Sequence, residues 1–228
     1  MLVLLIILCI GVAGITLWIG LNINLSPSVT EQPLAAIEDT TEAELITPVD
    51  RVEREQLSNI STSSEFAASA IMLQAYGVEV NENDLASAAK YSDDDFVYSY
   101  WGELGSGVIF PPGLVIANNL YLQDIDSNCR TFNLSGESWD TIKDFVNQEN
   151  PIVVYYTNTN SYPVFTSWEL EGYKFYNNEQ CVCIYKIDEQ GVHIKNPLTA
   201  QDEIITEEWF EMCWNACGSL AVGATNER

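Results

Sequence analysis

The chain opens on an unbroken apolar run: Leu2 to Leu21 (LVLLIILCIGVAGITLWIGL) carries no charge. At about 1.5 Å rise per residue, a helix of roughly 20 residues crosses a hydrocarbon core of roughly 30 Å. A cleaved signal peptide would show a cation ahead of a shorter run and a small-x-small site behind it. Here the first cation is Arg51, and the exit LNINLSPS offers no such site. The pattern predicts a retained transmembrane anchor over 2–21. Residues 22–48 follow as a stretch rich in Ser, Thr, Pro and acid, with no aromatic or basic residue from Ser26 to Pro48. That composition predicts a solvated, self-repelling tether. Residues 49–228 then form one domain.

Within the domain the periodicity is first helical. Thr62 and Glu65 have the spacing of a capping box, and the helix formers EFAASAIMLQAY run on to Gly77, a natural left-handed stop. A second helix is predicted over Glu82–Tyr91 behind Asn81, a third over Leu114–Leu122, and a fourth over Trp139–Gln148 with Trp139, Ile142, Phe145 and Val146 on one face. Asp93 to Pro112 has no sustained period and reads as a long loop, of the kind that carries function inside compact domains. The period then changes. PIVVYYT (Pro151–Thr157) reads as a central strand, and CVCIYKID (Cys181–Asp188) with GVHIKN (Gly191–Asn196) reads as a hairpin. Thr206 and the acids behind it start a last helix with Trp209, Phe210, Cys213, Trp214 and Cys217 on its apolar face. Gly218 stops it, and SLAVGA closes the domain as a strand. Helices first and antiparallel strands second make the class α+β.

Charge narrows the function. The net charge is −24, with 9 Lys and Arg against 33 Asp and Glu. Phosphate backbones and anionic lipid surfaces are bound through cations, so no nucleic acid is expected as partner. With 47% hydrophobic and 11% aromatic residues, the chain is too apolar to be disordered.

The candidate clusters have plain structural readings beside their chemical ones. Cys9 lies in the apolar run, which leaves Cys129, Cys181, Cys183, Cys213 and Cys217. Cys181 and Cys183 share a strand face, Cys213 and Cys217 a helix face. They are core fillers, or a disulfide, or a zinc set if the helix packs on the strand. Asp93, Asp94 and Asp95 lack the alternating spacing of a calcium loop and read as a solvated run. Tyr155, Tyr156, Tyr162, Phe165, Trp168, Tyr173, Phe175 and Tyr176 read as core and hairpin packing, or as the lining of a peptide or glycan cleft. No cofactor or metal is expected.

Three stretches carry a family resemblance. QLSNISTSSEFAASAIMLQAYG (Gln56–Gly77) resembles Q-x-P-x-x-P-T-G-C-E…L-x-x-x-G, with Gln56, Thr62, Glu65, Leu73 and Gly77 in register. Glu179-Gln180-Cys181-Val182 resembles E-H-C-V, and Asn196-Pro197-Leu198 resembles D-P-L. Phe210, Trp214, Gly218 and Ala221 match F-x-x-x-W-x-x-x-G-x-x-A. The domain thus resembles peptidase family 39 of the cysteine class, the double-glycine or bacteriocin-leader type in its stand-alone exported form. The resemblance spans about Gln56 to Ala224 and implies a papain-like fold.

Carried over position by position, the resemblance implies a site that has lost its chemistry. Ser64 stands where the family has the nucleophilic Cys at a helix N-terminus. Gln180 stands where it has the His, and an amide cannot act as a general base. Asn196 replaces the Asp that orients the His, a change papain-like sites tolerate. Gln56 keeps the oxyanion-donor position. His193, the only His, shares a strand face with Lys195, opposite Asn196, and so is expected to point away from the site. The side chain of Cys181 is expected to turn away as well.

The expectation is a membrane-anchored, extracytoplasmic pseudopeptidase. It would bind an extended peptide or protein ligand around Gln56, Ser64, Gln180 and Asn196, and a cationic ligand would be favoured by the field. Its rivals are a working thiol peptidase with a displaced cysteine nucleophile and a structural module whose groove is filled by its own side chains.

Overall fold

A computed structural model describes residues 63–158, 160–199 and 201–226, all within one compact unit, Glu44–Arg228. The predicted anchor, the tether and Gln56 lie outside the described residues. Among the described residues no helix is long and apolar enough to cross a membrane.

Five helices and eight strands are described: α1 (Ser64–Ala75), α2 (Glu82–Ala88), α3 (Pro111–Asp124), β1 (Cys129–Asn133), α4 (Trp139–Asn147), β2 (Ile152–Thr157), β3 (Phe165–Leu170), β4 (Tyr173–Tyr176), β5 (Glu179–Asp188), β6 (Gly191–Asn196), β7 (Gln201–Ile205), α5 (Glu207–Ala216) and β8 (Ala221–Asn226). Six strands form an antiparallel sheet in the order β1-β8-β2-β5-β6-β7, and β3 with β4 forms a separate ribbon. The closing strand β8 thus lies inside the sheet, between β1 and β2.

Strand alternation divides the core. On one face Val153 and Tyr155 of β2 and Cys181 and Cys183 of β5 meet Phe66, Met72 and Leu73 of α1 and Leu114 of α3. On the other face Val154 and Tyr156, with Val182 and Ile184, meet Trp139 and Ile142 of α4 and Phe210, Cys213 and Trp214 of α5. Every residue of β2 is buried, as expected of a strand covered on both faces.

Several boundaries differ from the sequence reading. Helix α1 starts behind Ser63, whose side chain makes no capping bond, and Glu65 is buried in a tertiary contact with Ile109; Thr62, the expected capping partner, lies outside the described residues. Asn81 does cap α2, through a capping box with Asp84. That helix ends at Ala88, short of Tyr91, because Tyr91 pairs with Tyr100 and its hydroxyl donates to the Ala86 carbonyl. Helix α3 begins at Pro111, earlier than Leu114, since proline suits a first helical turn. Strands β1 (CRTFN) and β7 (QDEII) lacked an apolar run and were not legible. On α5, Trp209 is exposed and its indole donates to the Asn160 carbonyl, while Cys217 caps the helix. The aromatic run divides: Tyr155, Tyr156 and Tyr176 are core, whereas Tyr162, Phe165 and Trp168 are exposed.

The β5–β6 turn admits only glycine at Gly191. Its φ is +133°, and an added Cβ would lie 2.2 Å from the Ile205 carbonyl oxygen. Gly191→Ala should therefore destabilise the domain by about 2–3 kcal/mol. The denaturation midpoint in urea should fall with an unchanged m-value.

Candidate functional site: the cleft at the start of the first helix

The site forms where the β5–β6 ladder ends. Its register stops at Cys183 opposite Lys195, and β6 ends at Asn196 before Pro197. Further along β5, the Cys181 N–H donates instead to Ser64 Oγ at 2.9 Å. This bond fixes the first residue of α1 beside the strand that carries Gln180. The side chain of Cys181, expected to turn away, packs instead into the apolar cluster under α1, the helix that opens on Ser64, and its thiol feels the charge of Glu65 and Glu179.

Gln180 and Asn196 are also brought together. The Gln180 Nε2 donates to Asn196 Oδ1, and both residues are buried. Asn196 is held further by Glu203, whose Oε1 accepts from its Nδ2 at 2.7 Å, and by the Leu198 N–H at 3.0 Å. Asn160 donates to the other Glu203 oxygen at 2.8 Å. Gln180 Oε1 is buried and, among the described residues, has no partner. An amide pair of this kind exchanges no proton near neutrality.

Ser64 makes its second hydrogen bond to Glu65, donating to Oε2 at 3.3 Å. Glu65 is itself almost wholly buried, and its Oε1 accepts the Ile109 N–H at 3.2 Å. The Ile109 carbonyl accepts from the Tyr155 hydroxyl, so both polar groups of that residue are fixed by buried side chains.

In front of Ser64 lies an open cleft of about 620 Å³. It is lined by Ser63, Ser64 and Glu65 at the start of α1, by Asn177 and Glu179, and by Gly105, Ser106 and Gly107 of the loop. Trp101, Phe175 and Leu198 also line it. The loop wall folds back through a bridge between Trp101 and Val108, and a Cβ on Gly107 would lie 2.2 Å from the Trp101 carbonyl oxygen. Of the residues expected to bind a ligand, Ser64 therefore faces the cleft. Gln180 and Asn196 are buried and do not line it, and Gln56 lies outside the described residues.

Sequence reasoning passed over Glu65 and Glu179, although both stand in the quoted motifs as neighbours of Ser64 and Gln180. Burial pushes both carboxyls above the ordinary carboxylate range. For Glu179, desolvation and then the charge of Glu65 raise it to about 8.

The other chemical candidates are placed elsewhere. His193 Nε2 lies 2.9 Å from Asp188 Oδ1, at the far end of the hairpin. Asp95 pairs with Lys90, whose hydrogen bond holds its carboxyl below the usual range. Among the described residues all five cysteines are free and buried. Cys181 and Cys183 belong to one core cluster and Cys213 to the other, so these thiols do not converge through the sheet. Burial raises every one of them: Cys129 to about 11, Cys217 to about 12, and Cys181, Cys183 and Cys213 likewise upward.

A sheet with helices on both faces, a polar residue opening a buried helix, and a paired donor on adjacent strands is the arrangement of a papain-like cysteine peptidase. The family model described as Peptidase_C39 like family matches residues 48–222, and the chain belongs to that family. A crystal structure of a protein assigned as a C39-like peptidase from Bacillus anthracis has the same fold. It aligns with a TM-score of 0.61 at 23% identity, over 77% of this chain and 92% of that one. No curated protein matches.

Two outcomes are expected from this geometry. Because Glu179 is raised in the fold, the native state holds more protons than the unfolded one between about 4.5 and about 8. Stability should therefore fall as pH rises through that window and level off above it, and Glu179→Gln should flatten the slope in pH-dependent urea unfolding. Native protein should also resist iodoacetamide at neutral pH at all five of these cysteines, with labelling rates that track unfolding when read by peptide mapping.

Proposed function

We propose that this chain is a membrane-anchored, extracytoplasmic, peptidase-like domain that binds an extended peptide in the Ser64 cleft without cleaving it. The observation that carries the reading is the buried Gln180–Asn196 pair. It keeps the placement of a base and its orienter while having no group that could take the Ser64 proton. A hydroxyl is a far weaker acid than a thiol and depends more on such a base. Anchoring rests on the uncharged run 2–21, and the extracytoplasmic side rests on the exported form of the family and on the acidic, cation-poor chain that follows. The −24 charge favours a cationic ligand through long-range attraction.

The two rivals are less well supported. A displaced cysteine nucleophile would need an exposed thiol of lowered pKa, and the five described cysteines are buried with raised values. A groove filled by its own side chains does not match an open volume of about 620 Å³.

The test is cleavage of a complex peptide pool, read by mass spectrometry, for the wild type and for Ser64→Cys/Gln180→His. The wild type should leave the pool intact and the double variant should cut it. Adding Gln56→Ala to the double variant should lower its rate about 10²–10³-fold, the usual effect of losing one oxyanion donor. Cleavage by the wild type would overturn the reading.

A further inference from the structure

The cleft holds two carboxyl groups and, among the described residues, no cation is placed to neutralise them. Glu65 bonds to the Ser64 hydroxyl and the Ile109 N–H, and Glu179 lines the same cleft, close enough for the charge of Glu65 to raise its carboxyl. The titratable groups that feel their charge are themselves acids, approached from every packed element: Tyr100 from the loop, Tyr155 from β2, Tyr176 from β4, Cys181 from β5 and Cys217 from the end of α5. Burial raises each of them, and the charge of Glu65, Glu179 or both adds to it. No Lys or Arg is among the residues that line the cleft, and Lys90, Lys186 and Lys195 pair with Asp95, Asp188 and Asp202.

A second observation points to an occupant. Ser63 also lines the cleft and is 8% exposed, and among the described residues its hydroxyl oxygen has no hydrogen-bond partner, although it lies near enough to Glu65 to lower that carboxyl's pKa. An unpartnered buried hydroxyl beside two carboxyls is a ready acceptor for an N–H donor. Trp101 and Phe175, with ring centroids 6.2 Å apart, offer apolar faces along which an alkyl stem can lie and a cation can be attracted.

We infer that the cleft is a subsite for a basic side chain of the bound peptide, its ammonium or guanidinium seated between Glu65 and Glu179 with Ser63 as a further acceptor. This rests on the peptide-binding reading above and names the ligand chemistry of that same site. Occupation is coupled to a proton. Near neutrality the free pair keeps a proton on Glu179, whose carboxyl is raised to about 8. An entering cation stabilises both carboxylates, and the Glu179 O–H proton passes to solvent. Affinity therefore rises with pH up to about 8.

Calorimetric titration of the full-length chain in detergent, with end-blocked Ala pentapeptides, separates the outcomes. The central residue is Arg, Lys, citrulline or norleucine. The Arg and Lys peptides should bind at least about tenfold tighter than citrulline and norleucine at pH 8, a gap of about 1.4 kcal/mol. At pH 7 the apparent enthalpy should differ between phosphate and Tris buffers in the sense of proton release. Glu179→Gln should remove both the preference and the buffer dependence. Glu65→Gln should do the same, but its loss of the Ile109 contact makes Glu179→Gln the deciding variant. Equal affinity for the Arg and citrulline peptides, or an Arg preference that survives Glu179→Gln, would overturn this inference while leaving peptide binding intact. No binding of any peptide would overturn the peptide-binding reading and this one together.

Discussion

The Glu65 carboxyl is the point through which the layers of the domain are held in register. It sits at the start of α1, accepts the Ile109 N–H and receives the Ser64 hydroxyl, while Ser64 accepts the Cys181 N–H of β5. One acid thus connects the buried helix, the loop that walls the cleft and the central strand. Its cost is desolvation, the largest cause of its raised pKa. Nothing about packing alone requires an acid at that depth. A hydrogen-bonding group is required there because Ile109 ends an irregular stretch whose backbone N–H would otherwise be buried without a partner.

From that constraint the site follows. Helix α1 is buried on nearly every side, so its first residues cannot shift without disturbing the core against β2 and β5. The ladder between β5 and β6 ends where the Asn196–Pro197 step leads the chain away, and the freed strand N–H meets Ser64. Gln180 and Asn196 remain on the sheet, linked to Glu203 and through it to Asn160. Where the family resemblance implies groups that move protons, this chain carries two amides and a hydroxyl. Two carboxyls line the cleft, Glu65 and Glu179, and burial raises both, Glu179 to about 8.

Much of the fold was legible because its signals are local. The β-branched run of β2, the helix formers before Gly77 and the Asn81 cap each act over a few residues. Strands β1 and β7 were not legible, since each is short, polar and defined by its neighbour in the sheet. The same division holds at the site. Ser64, Gln180 and Asn196 could be located by motif, and the structure sets Ser64 beside the strand and bonds the other two together. The role of Glu65 was hidden because a carboxylate next to a helix start reads as a capping group, and that of Glu179 because an acid at the start of a strand carries no local signal. Only the three-dimensional fold shows that one of them is buried against Ile109 and that the two share a cleft.

The central claim is that the Ser64 cleft is where ligand binds and that binding stops short of reaction. Hydrogen exchange of the full-length chain with and without the end-blocked arginine pentapeptide tests it most directly, with intact mass measured on the same samples. The account predicts slowed exchange at 63–65, 105–108 and 177–181 with no covalent mass increase. Slowed exchange confined to other segments, or an acyl adduct on Ser64, would contradict it.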